Sequence, residues 1–262
     1  MRSRRRFLTT IASAGLLTGS LLLGGASLST SAQDATPAQK ADMGNCVTAL
    51  GIGAAGDSCV NVIHASPDAP AVDVYVDGAK ALSGLEFGKA SGWVALPAGE
   101  HQVQVTAADA AIDTAVIDAT LTLEEGAAYE VAATGLLADI APLVNQADLS
   151  EFSTADEPMA RARVIHASPD APAVDIAAKG GDVLIENLPF REASDYLVVP
   201  AASYDLEVRP TGTTDVALDL PGVELEEGMV YSIYAIGHVS DGSLTVLPIT
   251  ATTVAPMATP TA

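Results

Sequence analysis

Positive charge is scarce in this chain. Twelve lysines and arginines stand against 33 aspartates and glutamates. Four of the arginines and none of the acids lie in residues 1–32, so the remainder carries 8 positive and 33 negative groups, a formal net charge of −25. A surface of that sign repels phosphate backbones and anionic headgroups, which excludes nucleic acid and an anionic membrane surface as partners. The ordinary reading of the acids is solubility, and the functional reading is cation binding. Aromatic residues are few: ten follow residue 32, the core needs most of them, and Trp93 alone is a candidate sugar platform. Helical periodicity is missing after the same point. The best stretch, Leu136 to Leu149, is short and broken by Pro142. There is no G-x-S-x-G motif and no other catalytic constellation, so the chain reads as a non-enzyme without a cofactor.

The basic head Arg2, Arg4, Arg5 and Arg6 is followed by an apolar, glycine-rich run from Ile11 to about Leu28, then by the small residues Thr30-Ser31-Ala32. That order is a signal peptide cleaved near Ala32. Ser3-Arg4-Arg5-Arg6-Phe7-Leu8 resembles the twin-arginine export signal of prokaryotes. An uncleaved anchor is the alternative, weakened by the glycines and serines of a run near the lower limit for spanning. The expected location is secreted or cell envelope. Residues 33–59 read as a spacer carrying Cys46 and Cys59, the only two cysteines. In an exported chain these form one disulfide. Closing so short a loop contributes about 3 kcal/mol. With His64 they make no recognised zinc spacing.

From Val60 onward the chain alternates with period two. Val72, Val74 and Val76 alternate with Asp73, Tyr75 and Asp77, and Ile117, Ala119, Leu121 and Leu123 with Asp118, Thr120 and Thr122. Turn residues part these runs at Asp77-Gly78, Pro97-Ala98-Gly99 and Glu124-Glu125-Gly126. The whole plan occurs twice. Val62-Ile63-His64-Ala65-Ser66-Pro67-Asp68-Ala69-Pro70-Ala71-Val72-Asp73 recurs letter for letter at Val164 to Asp175. Phe87, Trp93, Pro97 and Tyr129 then match Phe190, Tyr196, Pro200 and Tyr231. Repeats 60–149 and 162–249 each hold about seven short strands, which predicts an all-β fold of two tandem antiparallel immunoglobulin-like β-sandwich domains. Residues 150–161 read as a polar linker that few contacts cross, and 250–262 as a disordered tail.

Within the repeated stretch, Ser66-Pro67-Asp68-Ala69-Pro70 is turn chemistry joining two strands. His64 and Asp73 flank the turn closely enough to meet. The structural reading is a histidine held by a carboxylate or carbonyl, pinning the corner. The functional reading is a binding or catalytic His-Asp pair. The candidate site residues are therefore His64, Asp68 and Asp73, with His166, Asp170 and Asp175.

The motif from Val62 to Asp73, continuing as Val74-Tyr75-Val76-Asp77-Gly78, with Trp93, Pro97 and the later Leu-Glu-Glu-Gly then Tyr, resembles the opening and body of the family called domain of unknown function 4397. The resemblance spans nearly all of both repeats. It implies an exported or surface protein with an immunoglobulin-like fold, and it implies no activity. The second copy departs after Asp175, where Ile176-Ala177-Ala178-Lys179 stands in place of Val74-Tyr75-Val76-Asp77. The reading is an exported, non-catalytic interaction or structural module whose partner is an envelope or extracellular protein or a glycan. The alternatives are a calcium-dependent module using Asp68, Asp73, Asp77, Asp170 and Asp175, and a hydrolase using a His-Asp pair.

Overall fold

A computed structural model describes residues 43–153 and 157–253. The signal-like segment and the tail beyond residue 253 lie outside the described residues. A short helix, α1 (Cys46–Leu50), precedes the first module, whose strands are β1 (Asp57–Ala65), β2 (Val72–Val76), β3 (Ala79–Leu85), β4 (Ala90–Pro97), β5 (Gly99–Ala107), β6 (Ile117–Leu123), β7 (Ala128–Thr134) and β8 (Ala141–Ala147). The second module repeats them as β9 (Met159–His166), β10 (Val174–Ala178), β11 (Val183–Leu188), β12 (Leu197–Pro200), β13 (Ala202–Pro210), β14 (Leu218–Leu225), β15 (Met229–Ile236) and β16 (Thr245–Thr252). Each module is a sandwich of two four-stranded sheets, in the orders β4-β1-β7-β8 and β3-β2-β5-β6, then β12-β9-β15-β16 and β11-β10-β13-β14.

The expected sandwiches are present, with differences of detail. Each module has eight strands rather than seven. One pair in each is parallel, β1 with β7 and β9 with β15. The stretch that came nearest to a helix contains strand β8, preceded by a single 3-10 turn at Leu137–Asp139. Strand β16 runs to Thr252, into the segment expected to be tail.

The turn residues do what their chemistry requires. Asp77 and Gly78 both take positive φ, 51° and 79°, the conformation a two-residue hairpin needs, and join β2 to β3. The Leu-Glu-Glu-Gly-x-x-Tyr pattern is explained by one bond per module. The Tyr129 hydroxyl accepts the Glu124 backbone N–H at 3.1 Å, and the Tyr231 hydroxyl accepts that of Glu226 at 2.9 Å. Each tyrosine thus ties its strand to the corner that launches it, as in the tyrosine corner of other sandwiches.

The expectation that few contacts cross the linker is overturned. Sheets β4-β1-β7-β8 and β12-β9-β15-β16 each show one face to their own partner sheet and the other to the opposite module. On β7, Tyr129, Val131 and Ala133 fill module one, while Ala128, Glu130 and Ala132 point the other way. A shared core results, in which Ile63, Ala65 and Ala132 meet Ile165, Ala167, Tyr234, Ile236 and Ile249. All seven residues of β7 are buried, the signature of a strand covered on both faces. The two modules form one unit.

A buried polar cluster lies inside this contact. Arg163 Nη2 reaches Glu130 Oε2 at 3.2 Å, and the Tyr234 hydroxyl donates to the same oxygen at 2.9 Å. Arg163 also donates to Ser232 Oγ and to the Gln146 carbonyl. Burial, then the neighbouring Glu130 carboxylate, pushes the Tyr234 phenol well above its ordinary range. Around the cluster, Arg191 of module two donates to the Thr134 and Asp139 carbonyls and to Thr134 Oγ1 of module one. Trp93 of module one donates its indole N–H to the Thr250 carbonyl of module two at 2.8 Å. Trp93 is therefore part of the joint between modules and not a free platform.

Candidate functional site

The repeated stretch forms the corner between the first two strands of each module. His64 is fully buried at the end of β1. Its Nε2–H donates to the Pro70 carbonyl at 2.9 Å, and its Nδ1 accepts the Ser66 backbone N–H at 3.4 Å. The phenyl ring of Phe87 meets it edge-on with centroids 6.2 Å apart. His166 repeats the arrangement with Pro172 at 3.0 Å, Ser168 at 3.3 Å and Phe190. Both ring nitrogens are engaged in each copy, and burial lowers the pKa of both histidines below 6.5 against the raising effect of the proline carbonyl. The neutral imidazole is thus held in a single tautomer with no lone pair left for proton transfer. The histidines pin the corner, and a carbonyl is the partner.

The expected approach of His64 to Asp73 does not occur. Asp73 sits on the opposite face of its own sheet. There it takes the Lys80 ammonium at 2.5 Å and the backbone N–H groups of Gly84 and Asp109 at 2.8 and 3.0 Å. The bond from Lys80, then that from Gly84, lowers its carboxyl to about 2. Asp175 takes the N–H groups of Asn187 and Gly212 and the Thr211 hydroxyl. Burial pushes its pKa up, but these donors outweigh it and the net shift is downward. Asp68 caps the Leu137 N–H at 2.7 Å, and Asp170 caps those of Val239 and Ser240. Burial raises the Asp170 pKa, yet the bonds from Ser240 and Val239 and the nearby His238 hold it at about 2. The six candidates hold separate sets of partners, joined only where Ser168 bonds both His166 and Asp170, and converge on no common point. Among the described residues no three His, Cys, Asp or Glu side chains are grouped to hold a metal ion. The Cys46–Cys59 disulfide is formed and fastens α1 to β1.

A different constellation appears on the outer face of sheet β3-β2-β5-β6. Tyr75, Gln104 and Asp118 stand opposite one another on adjacent strands. Gln102 and Gln104 both donate side-chain amide protons to Asp118, at 2.9 and 3.2 Å. The Lys80 ammonium lies 5.4 Å from the centre of the Tyr75 ring. At the hairpin end His101 donates to Asp77 Oδ2 at 2.7 Å and to the Pro97 carbonyl at 2.8 Å. The Asp77 carboxylate raises the His101 pKa. Sequence alternation placed Tyr75 and Asp77 on one face of β2. It could not show that Gln102, Gln104 and Asp118 come alongside, because strand pairing decides that. Module two has Ala177, Glu207 and Asp219 in the corresponding row and no aromatic ring.

The family model described as Domain of unknown function (DUF4397) matches residues 58–158 and 160–262. No curated protein matches the chain. Among solved structures, a family 26 carbohydrate-binding module from Eubacterium rectale Amy13K in complex with maltoheptaose is similar at 12% identity, over 72% of this chain and 95% of that one, with a TM-score of 0.22. A structure titled for alpha-glucan binding by a streptococcal virulence factor is similar at 10% identity, over 72% and 96%, with a TM-score of 0.20.

Proposed function

Since this chain belongs to the family described as Domain of unknown function (DUF4397), a description that supplies no activity, we propose its role from its own geometry: an exported, non-catalytic binding module. The repeated motif supports the non-catalytic part, because its histidines and aspartates are occupied in holding corners and strands. The basic head and apolar run of residues 1–32 support export along the twin-arginine route, and the disulfide fits an oxidising compartment. The calcium reading draws no support from Asp73, Asp77, Asp170 and Asp175, whose carboxylate oxygens already accept N–H and O–H donors of the protein.

The observation that carries the binding part is the outer face of module one. A tyrosine ring gives an apolar surface with a polar tip. Beside it two amides and a carboxylate, held on rigid strands, offer both donors and acceptors. That combination suits a hydroxyl-rich glycan outside the cell. Affinity electrophoresis in gels containing cell-envelope or extracellular polysaccharide tests it. The wild type is retarded, and Tyr75→Ala and Gln104→Ala, both still folded by circular dichroism, run freely. Equal retardation of all three proteins would remove this face from the account.

A further inference from the structure

The two modules share a fold but differ in the space between their sheets. In module one the gap lined by Val62, Val74, Val105, Leu121, Val131 and Ala133 leaves a cavity of about 30 Å³. The same place in module two, lined by Val164, Ile176, Val208, Val223, Ile233 and Ala235, is a cleft of about 280 Å³. Shorter side chains do not explain the difference. Val223 is shorter than its counterpart Leu121, but Ile176, Ile233 and Leu220 are larger than Val74, Val131 and Ala119. The backbone explains it. Strand β14 carries one residue more than β6 and slips register against β13 between Tyr204 and Leu206. The slip falls opposite Pro221-Gly222, where Gly222 takes a φ of 64° and donates its N–H to Asp205 Oδ1 at 2.8 Å. Such a bulge bends an edge strand and is found next to functional clefts. Module one closes this edge by packing β6 on β8.

We propose that the cleft between β14 and β16 is a binding site for the alkyl chain of an amphiphile with an uncharged or cationic head. The lining is apolar over most of its extent, aliphatic but for the Tyr231 ring, so water gains few partners there and an alkyl chain gains many. The volume is at the lower end for small-molecule sites, enough for a slender chain and too little for a ring system with substituents. The polar residues of the lining, Glu224 and Thr250, belong to the edge strands, where the head emerges. Glu224 is its only charged residue, and the −25 charge of the chain after residue 32 acts in the same direction, so a carboxylate or sulfate head is disfavoured.

The test is isothermal titration of the purified protein with decyl maltoside, decyltrimethylammonium and decanoate, each below its micelle concentration. The expected result is saturable binding of the first two, at least tenfold weaker for decanoate. Ala235→Leu, which fills the cleft from within, should abolish that binding while keeping or raising the melting temperature. Should that variant fail to fold, NMR shifts of the wild type with decyl maltoside replace it, and these should fall on β14 and β16. No saturable binding, binding unchanged in a folded Ala235→Leu variant, or shifts confined to module one would each overturn the proposal.

Discussion

His64 and His166 show how much a single residue can hold. Each closes a turn that has a proline at both ends and lacks those two N–H groups, so the histidine ring supplies the donor that the backbone cannot. The pKa shift has a definite sign. The unfolded chain takes up protons near pH 6.5, while the buried rings resist until lower pH. Their contribution to stability is therefore fully present above about 6.5 and is lost as the pH falls through that window. His101 works in the opposite sense. Its raised pKa contributes stability below 6.5 that is lost as the pH rises through the folded value. Ring-proton titration by NMR should give midpoints below 6.5 for His64 and His166 and above it for His101. A midpoint at or above 6.5 for the buried pair would contradict the burial argument. The sequence offered the pinning role beside a catalytic or binding one, and the engagement of both ring nitrogens favours the pin. The sequence did not make the partner legible. Asp73 is nine residues away along the chain, but the alternation of the strand turns it to the far face of the sheet, and a carbonyl leaves no mark in a sequence.

At the scale of elements, strands and turns were legible wherever one face is wet. Val72 to Val76 alternates cleanly, and Asp77-Gly78 turns as its residues demand. Strand β7 has no wet face: Glu130, between Tyr129 and Val131, is buried against the other module because Arg163 and Tyr234 satisfy it. Helix α1 was missed because five residues are too few for a period. Asn45 caps it, Gly51 ends it with a φ of 66°, and its Ala49 carbonyl accepts the Thr252 hydroxyl of module two at 2.6 Å. The disulfide keeps this bridge in place. The paired change Cys46→Ser with Cys59→Ser should lower stability by about 3 kcal/mol, the loop-closure value, measured by urea unfolding. An effect within error would mean that α1 is held by packing alone.

At the scale of the whole molecule, the two copies of one sequence have become unequal partners. Asn61 of module one stands where module two has Arg163, and Glu130 and Ala132 where it has Ser232 and Tyr234. Two copies of either module alone would lack one side of the buried pair. Removing one partner of such a pair leaves a charge buried without compensation. Arg163→Ala should therefore destabilise by about 3–5 kcal/mol. Lys179→Ala, which breaks the exposed pair with Asp219, should leave unfolding unchanged. Comparable effects of the two changes would count against a joint that holds the modules in register. The joint was hidden in the sequence because its apolar core encloses a polar pair, and a polar pair across an interface reads, strand by strand, as two wet faces.

The central claim is that the repeated corners are structural pins within one fused body. Differential scanning calorimetry of His64→Ala and His166→Ala tests it directly. Each change removes a buried donor and leaves a proline carbonyl unpaired, a loss of about 1–3 kcal/mol. The predicted result is a single transition for the whole protein, displaced downward by a similar amount in both variants. Two transitions of which only the mutated module's moves, or no displacement in either variant, would contradict the account.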